Sequence, residues 1–120
     1  MKAIQLYEHG GPEVMQLNDV VLPDLMAGMV RVKIEAAGLN FIDIYQRSGL
    51  YKLPSLPAVL GLEGAGDIVR VGEGVTDLKV GDRVAYASNP PGSYSEARVM
   101  PARNVVRLPE GIAFDTAAGM

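Results

Sequence analysis

In the sequence VRVKIEA, residues 30–36, apolar and charged side chains alternate strictly. In an extended chain this alternation places Val30, Val32 and Ile34 on one face and the charged residues on the other. A period of two with β-branched residues on one face is typical of a half-buried strand in an antiparallel sheet. Residues 30–36 therefore predict such a strand.

Further short segments have the composition of strands, and turn residues separate them. They are residues 2–7, 66–71, 83–86, 94–99 and 105–108. Turn sequences such as KVGD at 79–82 and NPPG at 89–92 fall between them,. Short, frequent strands punctuated by glycine predict a mainly β fold, a sandwich or a barrel, and the length fits one domain.

The segment 40–47 predicts a short helix rather than a strand. Asn40 has the side chain of an N-cap,. Phe41, Ile44 and Tyr45 follow at a spacing that places them on one side of the helix,.

The tail, residues 114–120, predicts the beginning of a second helix. Asp115 or Thr116 would cap it, and about one turn of chain follows the cap,. Since so short a helix cannot repay the cost of nucleation, we expect the chain to be a fragment.

The composition excludes several classes of function. The 120 residues include 11 Lys and Arg against 14 Asp and Glu, a net charge of −3. Neither nucleic acid nor an anionic membrane is therefore an expected partner. The chain has no Cys and a single His, so we expect no disulfide and no metal site,. No apolar run approaches the ~20 residues that span a bilayer, and we expect a cytoplasmic domain.

A glycine-rich run, GLEGAG at residues 61–66, is superficially similar to a phosphate-binding loop. Its spacing differs from Gly-x-Gly-x-x-Gly, it lies in no βαβ pattern, and Glu63 would repel a pyrophosphate. We interpret these glycines as points where two backbones approach closely, and we expect no complete dinucleotide site in this chain.

Five motifs follow one another over nearly the whole chain. They are AAGLNFID at 36–43, RSGLY at 47–51, GLEGAG at 61–66, GEGV at 72–75 and VGDRV at 80–84. The set resembles the N-terminal, GroES-like catalytic domain of the medium-chain dehydrogenase/reductase superfamily. Within it, the zinc-independent quinone oxidoreductases, the zeta-crystallin-like branch, are most similar. The resemblance implies a partly open β-barrel with short helices over residues 1–120, truncated before a Rossmann domain.

Two positions differ from the zinc-dependent branch of that superfamily. Zinc alcohol dehydrogenases have Gly-x-Cys-His-x-Asp and Gly-His-Glu where this sequence has GLNFID at 38–43 and GLE at 61–63. The zinc-ligand positions are therefore occupied by Asn40 and Leu62. Without zinc no Lewis acid lowers the pKa of an alcohol, whereas reduction of a quinone or conjugated enone needs no such metal. The resemblance thus implies a zinc-free reductase.

The resemblance also implies a cofactor and site residues. NADPH would lie between this domain and the following Rossmann domain, and its hydride would pass to a small-molecule quinone or enone. By resemblance, Asn40, Asp43 and Tyr45 lie near the cofactor. Tyr45 and Tyr51 are the predicted catalytic residues, which orient the acceptor carbonyl or donate to its developing oxyanion.

Each of these residues also has a structural interpretation. Asn40 would only cap the helix, Asp43 would pair with Arg47, and Tyr45 would pack in the core. Glu63 is expected to have a paired structural role, and Tyr94 is expected to be a strand residue. The apolar loop 50–60 either lines an acceptor pocket or packs the barrel.

Two other functions stay open. One is a different zinc-free reductase, acting on an enoyl thioester or an alkenal, which a cluster of basic residues would favour; the chain has no evident one. The other is a GroES-like oligomeric binding module without a cofactor. As a domain of a homo-oligomeric reductase, the chain alone is expected to be inactive and to expose an apolar face. It would then self-associate or be marginally stable.

Overall fold

The structure is a computed structural model that describes residues 1–88 and 90–119. In the described residues the strands are β1 Lys2–Leu6, β2 Gln16–Asp19, β3 Met29–Gly38, β4 Ala58–Val59, β5 Glu63–Val71, β6 Arg83–Ala87, β7 Ala97–Pro101 and β8 Val106–Arg107. The α-helices are α1 Phe41–Ser48 and α2 Phe114–Ala118, with 3₁₀ turns at Pro12–Val14 and Ala102–Asn104. No helix within these residues is long and apolar enough to cross a bilayer.

The strands form two antiparallel sheets. The larger has the order β7-β3-β5-β6-β8 and the smaller has the order β2-β1-β4. An antiparallel bridge between Ala3 and Ser95 connects the sheets, and the Ile4 amide donates to the Tyr94 carbonyl at 2.8 Å beside it. The predicted mainly β class with short helices is confirmed.

The long central strand β3 contains the predicted alternation. Val30 and Val32 are fully buried, Ile34 is half-buried, and Lys33 and Glu35 are exposed. β3 pairs with β5 along one side and with β7 along the other. Its inward face packs in the main core, formed by Val30, Val32, Ile68, Leu78, Val84, Tyr86, Met100 and Val105.

The observed boundaries differ from the predicted ones in β7. The prediction of Tyr94 as a strand residue is wrong, because β7 begins at Ala97. The Tyr94 amide donates to the Leu60 carbonyl at 2.9 Å, and its carbonyl accepts from Ile4. These two bonds to separate segments hold Tyr94 outside the ladder.

The predicted cap of α2 is also wrong. The helix begins at Phe114 with Ala113 as N-cap, and Asp115 lies inside its first turn. Phe114 packs beneath the guanidinium of Arg83, 4.5 Å from the ring centroid. Tertiary packing of this ring, rather than a polar cap, sets where the helix begins.

Two glycines of β5 allow close contact with the neighbouring strands. A Cβ at Gly66 would overlap the backbone carbonyl oxygen of Lys33 on β3, and a Cβ at Gly64 would lie 2.6 Å from the Tyr86 hydroxyl on β6. The interpretation of these glycines as close-approach positions is confirmed.

Replacing Gly66 by alanine tests this contact. Because the methyl group would collide with backbone, we expect Gly66→Ala to lower the free energy of unfolding by about 1–3 kcal/mol in urea denaturation. Gly119→Ala is the control, since its Cβ would be 3.6 Å from the Asp115 carbonyl oxygen, an ordinary contact. Unchanged stability of Gly66→Ala would show that the two strands lie further apart than described.

Candidate functional site

The N-terminus of α1 is fixed by a reciprocal capping arrangement. The chain leaves β3 at Gly38, and Asn40 has the extended backbone of an N-cap. The backbone N–H of Asn40 donates to Oδ2 of Asp43 at 2.9 Å. The backbone N–H of Asp43 donates to the backbone carbonyl of Asn40 at 3.1 Å. The predicted cap at Asn40 is therefore confirmed.

Asp43 is a buried carboxylate with two donors on one oxygen. It is only 2% exposed, and Oδ2 accepts a second hydrogen bond from the Tyr94 hydroxyl at 2.8 Å. The predicted pairing with Arg47 is wrong, because Asp43 points inward and the Arg47 Nε donates to the Gly10 carbonyl at 3.3 Å. Oδ1 of Asp43 is buried without a partner among the described residues.

Glu63 joins this arrangement from the start of β5. The Asn40 Nδ2 donates to Oε1 of Glu63 at 3.1 Å, which agrees with the predicted paired role of Glu63. Its Oε2 is buried and has no partner within the described part of the chain. We call the four connected residues Tyr94, Asp43, Asn40 and Glu63 the polar cluster.

The environment of the polar cluster keeps the Tyr94 hydroxyl protonated. Burial raises the pKa of Tyr94 well above its ordinary value, and the hydrogen bond to Asp43 and the negative charges of Asp43 and Glu63 raise it further,. Tyr94 is therefore a hydrogen-bond donor over the whole physiological pH range.

The opposite face of α1 carries an aromatic row. Phe41 is 75% exposed and stacks on Tyr45 with 6.5 Å between ring centroids. Tyr45 meets Tyr51 edge-to-face at 5.4 Å. The alternative that Tyr45 packs in the core is wrong, because the buried residues of α1 are Asp43 and Gln46. Phe41, Tyr45 and Tyr51 are called the aromatic row below.

The apolar loop 50–60 has both of the predicted roles, since part of it packs in the core and part of it lines a groove. Leu53, Leu56 and Leu60 pack with Leu6 and Val14 in a second core cluster. Tyr51 and the stretch 52–54 also line an open groove of about 570 Å³, together with Ile42, Gln46, Pro90 and Pro91. The loop thus both packs the fold and lines a cavity.

The predicted site residues lie on α1 and the loop after it, in two adjacent groups. Asn40 and Asp43 belong to the polar cluster, whereas Tyr45 and Tyr51 belong to the aromatic row. Asn40 connects the groups, since it is half-buried and lines a surface groove with Leu39, Phe41 and Ile44. No group of three or more His, Asp or Glu in the described ranges 1–88 and 90–119 is arranged to hold a metal ion.

Sequence reasoning missed Tyr94. Its partner Asp43 lies 51 residues away along the chain, so no local spacing could indicate the contact. Only the pairing of distant segments brings them together.

The comparisons with known proteins agree with this fold. Residues 26–110 match the alcohol dehydrogenase GroES-like domain. The chain belongs to this family. The GroES-like fold and the similarity to quinone oxidoreductases of the medium-chain dehydrogenase/reductase superfamily are thereby confirmed.

Several relatives of the GroES-like domain are named quinone oxidoreductases. One from Pseudomonas aeruginosa is 51% identical over 119 residues, which cover 99% of this chain and 37% of the relative. A crystal structure from Pseudomonas syringae has a TM-score of 0.95 at 50% identity, covering 98% of this chain and 36% of that one. The Escherichia coli enzyme complexed with NADPH gives a TM-score of 0.95 at 44% identity with the same coverage. The chain spans about a third of the length of these relatives.

The Tyr94–Asp43 hydrogen bond is tested by Tyr94→Phe. Because a buried carboxylate loses a donor while the ring stays, we expect a loss of about 1.5–3 kcal/mol in unfolding free energy. Tyr45→Phe is the control, since no hydrogen bond of the Tyr45 hydroxyl occurs among the described contacts, and its stability should change by less than about 0.5 kcal/mol.

The raised pKa of Tyr94 predicts that the difference in stability between wild type and Tyr94→Phe depends on pH. Above about pH 10 an unfolded tyrosine loses its proton, whereas native Tyr94 keeps it because its pKa is raised. The unfolded state then binds fewer protons, so stability falls as the pH rises. We expect the stability advantage of wild type over Tyr94→Phe to shrink above this pH in chemical denaturation. An advantage that grows there would contradict the raised pKa.

Proposed function

We propose that this chain is the substrate-side domain of a zinc-free, NADPH-dependent quinone oxidoreductase, whose Rossmann domain lies outside these 120 residues. The reaction is the transfer of a hydride from the nicotinamide, with uptake of one proton, to a quinone or conjugated enone. The main support for the proposal is the hydrogen bond from the Asn40 side-chain Nδ2 to Oε1 of Glu63. Asn40 stands at a position where the zinc-dependent branch has a metal ligand.

The donor set at this position supports chemistry without a metal. Asn40 presents a neutral amide that is already engaged by Glu63, and Leu62 has no ligating atom. Catalytic zinc is held by three protein groups drawn from thiolate, imidazole and carboxylate. Glu63 is one carboxylate, and no set of three such groups is arranged to hold a metal among residues 1–88 and 90–119. A quinone is electrophilic enough to accept hydride directly, so its reduction does not require a Lewis acid.

The residues present fit a nicotinamide cofactor. The aromatic row offers flat, exposed apolar surface for a planar ring, and Asn40 adds a polar amide at the edge of that surface. Bound NADPH supplies the hydride. The Escherichia coli relative, 44% identical, is a complex with NADPH, which supports this cofactor over others.

In this proposal, different residues of the chain contact the cofactor and the acceptor. Asn40 and Tyr45 contact the cofactor, and Tyr45 and Tyr51 donate hydrogen bonds to the acceptor oxygen as negative charge develops on it. Asp43 is buried against Tyr94 and the Asn40 amide, so its support of cofactor binding is indirect, through the position of α1. Exclusion of water around these groups requires the second domain.

The proposal extends to assembly and compartment. We infer a homo-oligomeric, cytoplasmic enzyme. Exposed apolar side chains on and beside α1, including Leu39, Phe41 and Leu50, supply surface that the rest of such an enzyme would cover.

Titration of NADPH into this chain and into a longer protein containing it tests whether NADPH binding requires the Rossmann domain. We expect no saturable binding to the 120-residue chain into the millimolar range, measured by nicotinamide fluorescence. The longer protein should bind NADPH and oxidise it with benzoquinone, and a zinc chelator should leave the rate unchanged. Saturable binding by the short chain, or loss of activity with the chelator, would refute the proposal.

The role of Tyr51 is tested by removing its hydroxyl in the longer protein. We expect Tyr51→Phe to lower kcat for benzoquinone reduction about tenfold or more, because the developing oxyanion loses a donor. Tyr7→Phe is a matched control, since Tyr7 and Tyr51 are both 55% exposed. If both variants retain full kcat, the Tyr51 hydroxyl takes no part in the reaction.

A further inference from the structure

The polar cluster contains two residues that the proposed reaction does not use. Tyr94 and Glu63 come from different segments of the chain, yet both form hydrogen bonds at the N-terminus of α1. Glu63 contacts the N-cap Asn40, and Tyr94 contacts Asp43 in the first turn. Glu63 accepts a hydrogen bond from the Asn40 side-chain Nδ2, whereas Tyr94 reaches the Asn40 backbone N–H through Oδ2 of Asp43.

We propose that Tyr94 and Glu63 are positioning residues for Asn40 in hydride transfer. Glu63 holds the Asn40 side-chain amide in one orientation, and Tyr94, through Asp43, holds the backbone from which that side chain projects. The proposal rests on the proposed function for its kinetic consequence. Neither residue touches the acceptor in this account. Both act through Asn40, which is the member of the polar cluster that lines the groove beside Phe41.

The fold around Tyr94 is shaped to deliver its hydroxyl to Asp43. Gly61 has a φ of 100°, and a Cβ there would lie 2.8 Å from Tyr94 Cδ1, so only glycine leaves room for the ring. The Tyr94 amide and carbonyl are both bonded to other segments. With its backbone and ring fixed, the hydroxyl donates to Oδ2 of Asp43 at 2.8 Å and also lies 3.3 Å from the Gly38 carbonyl oxygen. The same Oδ2 accepts from the Asn40 backbone N–H.

Glu63 fixes the Asn40 amide by chemistry as well as by distance. An ionised carboxylate only accepts hydrogen bonds, so Asn40 must present Nδ2 to it and turn Oδ1 away. The strand register places Gly38, the last residue of β3, opposite Glu63, the first residue of β5. A Cβ at Gly38 would collide with the Ala118 backbone carbonyl oxygen and would lie 2.7 Å from Oε2 of Glu63, so glycine leaves room here for both α2 and the carboxylate.

A purely structural role and a positioning role predict different kinetics. If the contacts only stabilise the fold, their loss lowers the melting temperature but leaves kcat unchanged well below it. If they position Asn40, misplacement of the amide lowers kcat at temperatures where every variant is fully folded.

The kinetic test uses the longer protein with NADPH and benzoquinone. We expect Tyr94→Phe and Glu63→Ala to lower kcat by about ten- to a hundredfold, with KM for benzoquinone nearly unchanged. Glu63→Gln, which keeps an acceptor oxygen, should retain more of the rate than Glu63→Ala. Tyr86→Phe is the matched control, because it removes a buried hydroxyl whose partner is Ser93 Oγ at 2.6 Å, outside the polar cluster.

A second measurement, on the longer protein without cofactor or quinone, separates this proposal from the proposed function. In NMR spectra, the Asn40 side-chain amide protons should exchange slowly in wild type and faster in Tyr94→Phe and Glu63→Ala, but not in Tyr86→Phe. A wild-type parent without quinone reductase activity would refute the proposed function while this measurement still decides whether Asn40 is held. Unchanged exchange, or unchanged kcat in an active parent, would overturn the positioning role.

Discussion

The pairing of β3 with β5 is the constraint on which the rest of the structure depends. β3 lies between β5 and β7 in the larger sheet, and its contact with β5 is close enough that Gly66 faces the Lys33 carbonyl without a side chain between them. The same register ends with Gly38 opposite Glu63. The pairing that organises the core therefore also places a carboxylate next to the residue that caps α1.

This connection explains why the candidate site lies at the end of a strand rather than in a loop of its own. Asn40 follows β3 by one residue and is fixed by Asp43 within α1 and by Glu63 across the sheet. Tyr94 completes the arrangement from a segment that also joins the two sheets. A buried carboxylate such as Asp43 is costly unless it is hydrogen-bonded, so these contacts stabilise the fold and at the same time define the geometry of the candidate site.

The sequence predicts the parts of this structure that depend on neighbouring residues. The alternation in residues 30–36 identifies β3, and the side chain of Asn40 identifies the start of α1, because both signals act within a few residues. Three features depend on contacts between distant segments, so local propensity cannot predict them. They are the position of Tyr94 outside β7, the packing of Phe114 against Arg83 and the hydrogen bond between Tyr94 and Asp43. The site is likewise foreseen in part: Asn40, Asp43, Tyr45 and Tyr51 are brought near one another, but the division into a buried polar cluster and an exposed aromatic row is visible only in three dimensions.

In the proposed enzyme, Asn40 is held by Glu63 and Asp43 and faces the nicotinamide in a zinc-free site. A crystal structure of the longer protein with oxidised NADP, with diffraction recorded at the zinc absorption edge, tests it most directly. The account predicts the nicotinamide carboxamide at about 3 Å from the Asn40 side chain, with the Glu63 contact intact and no anomalous signal there. A zinc ion beside Asn40, or a nicotinamide bound away from it, would contradict the account.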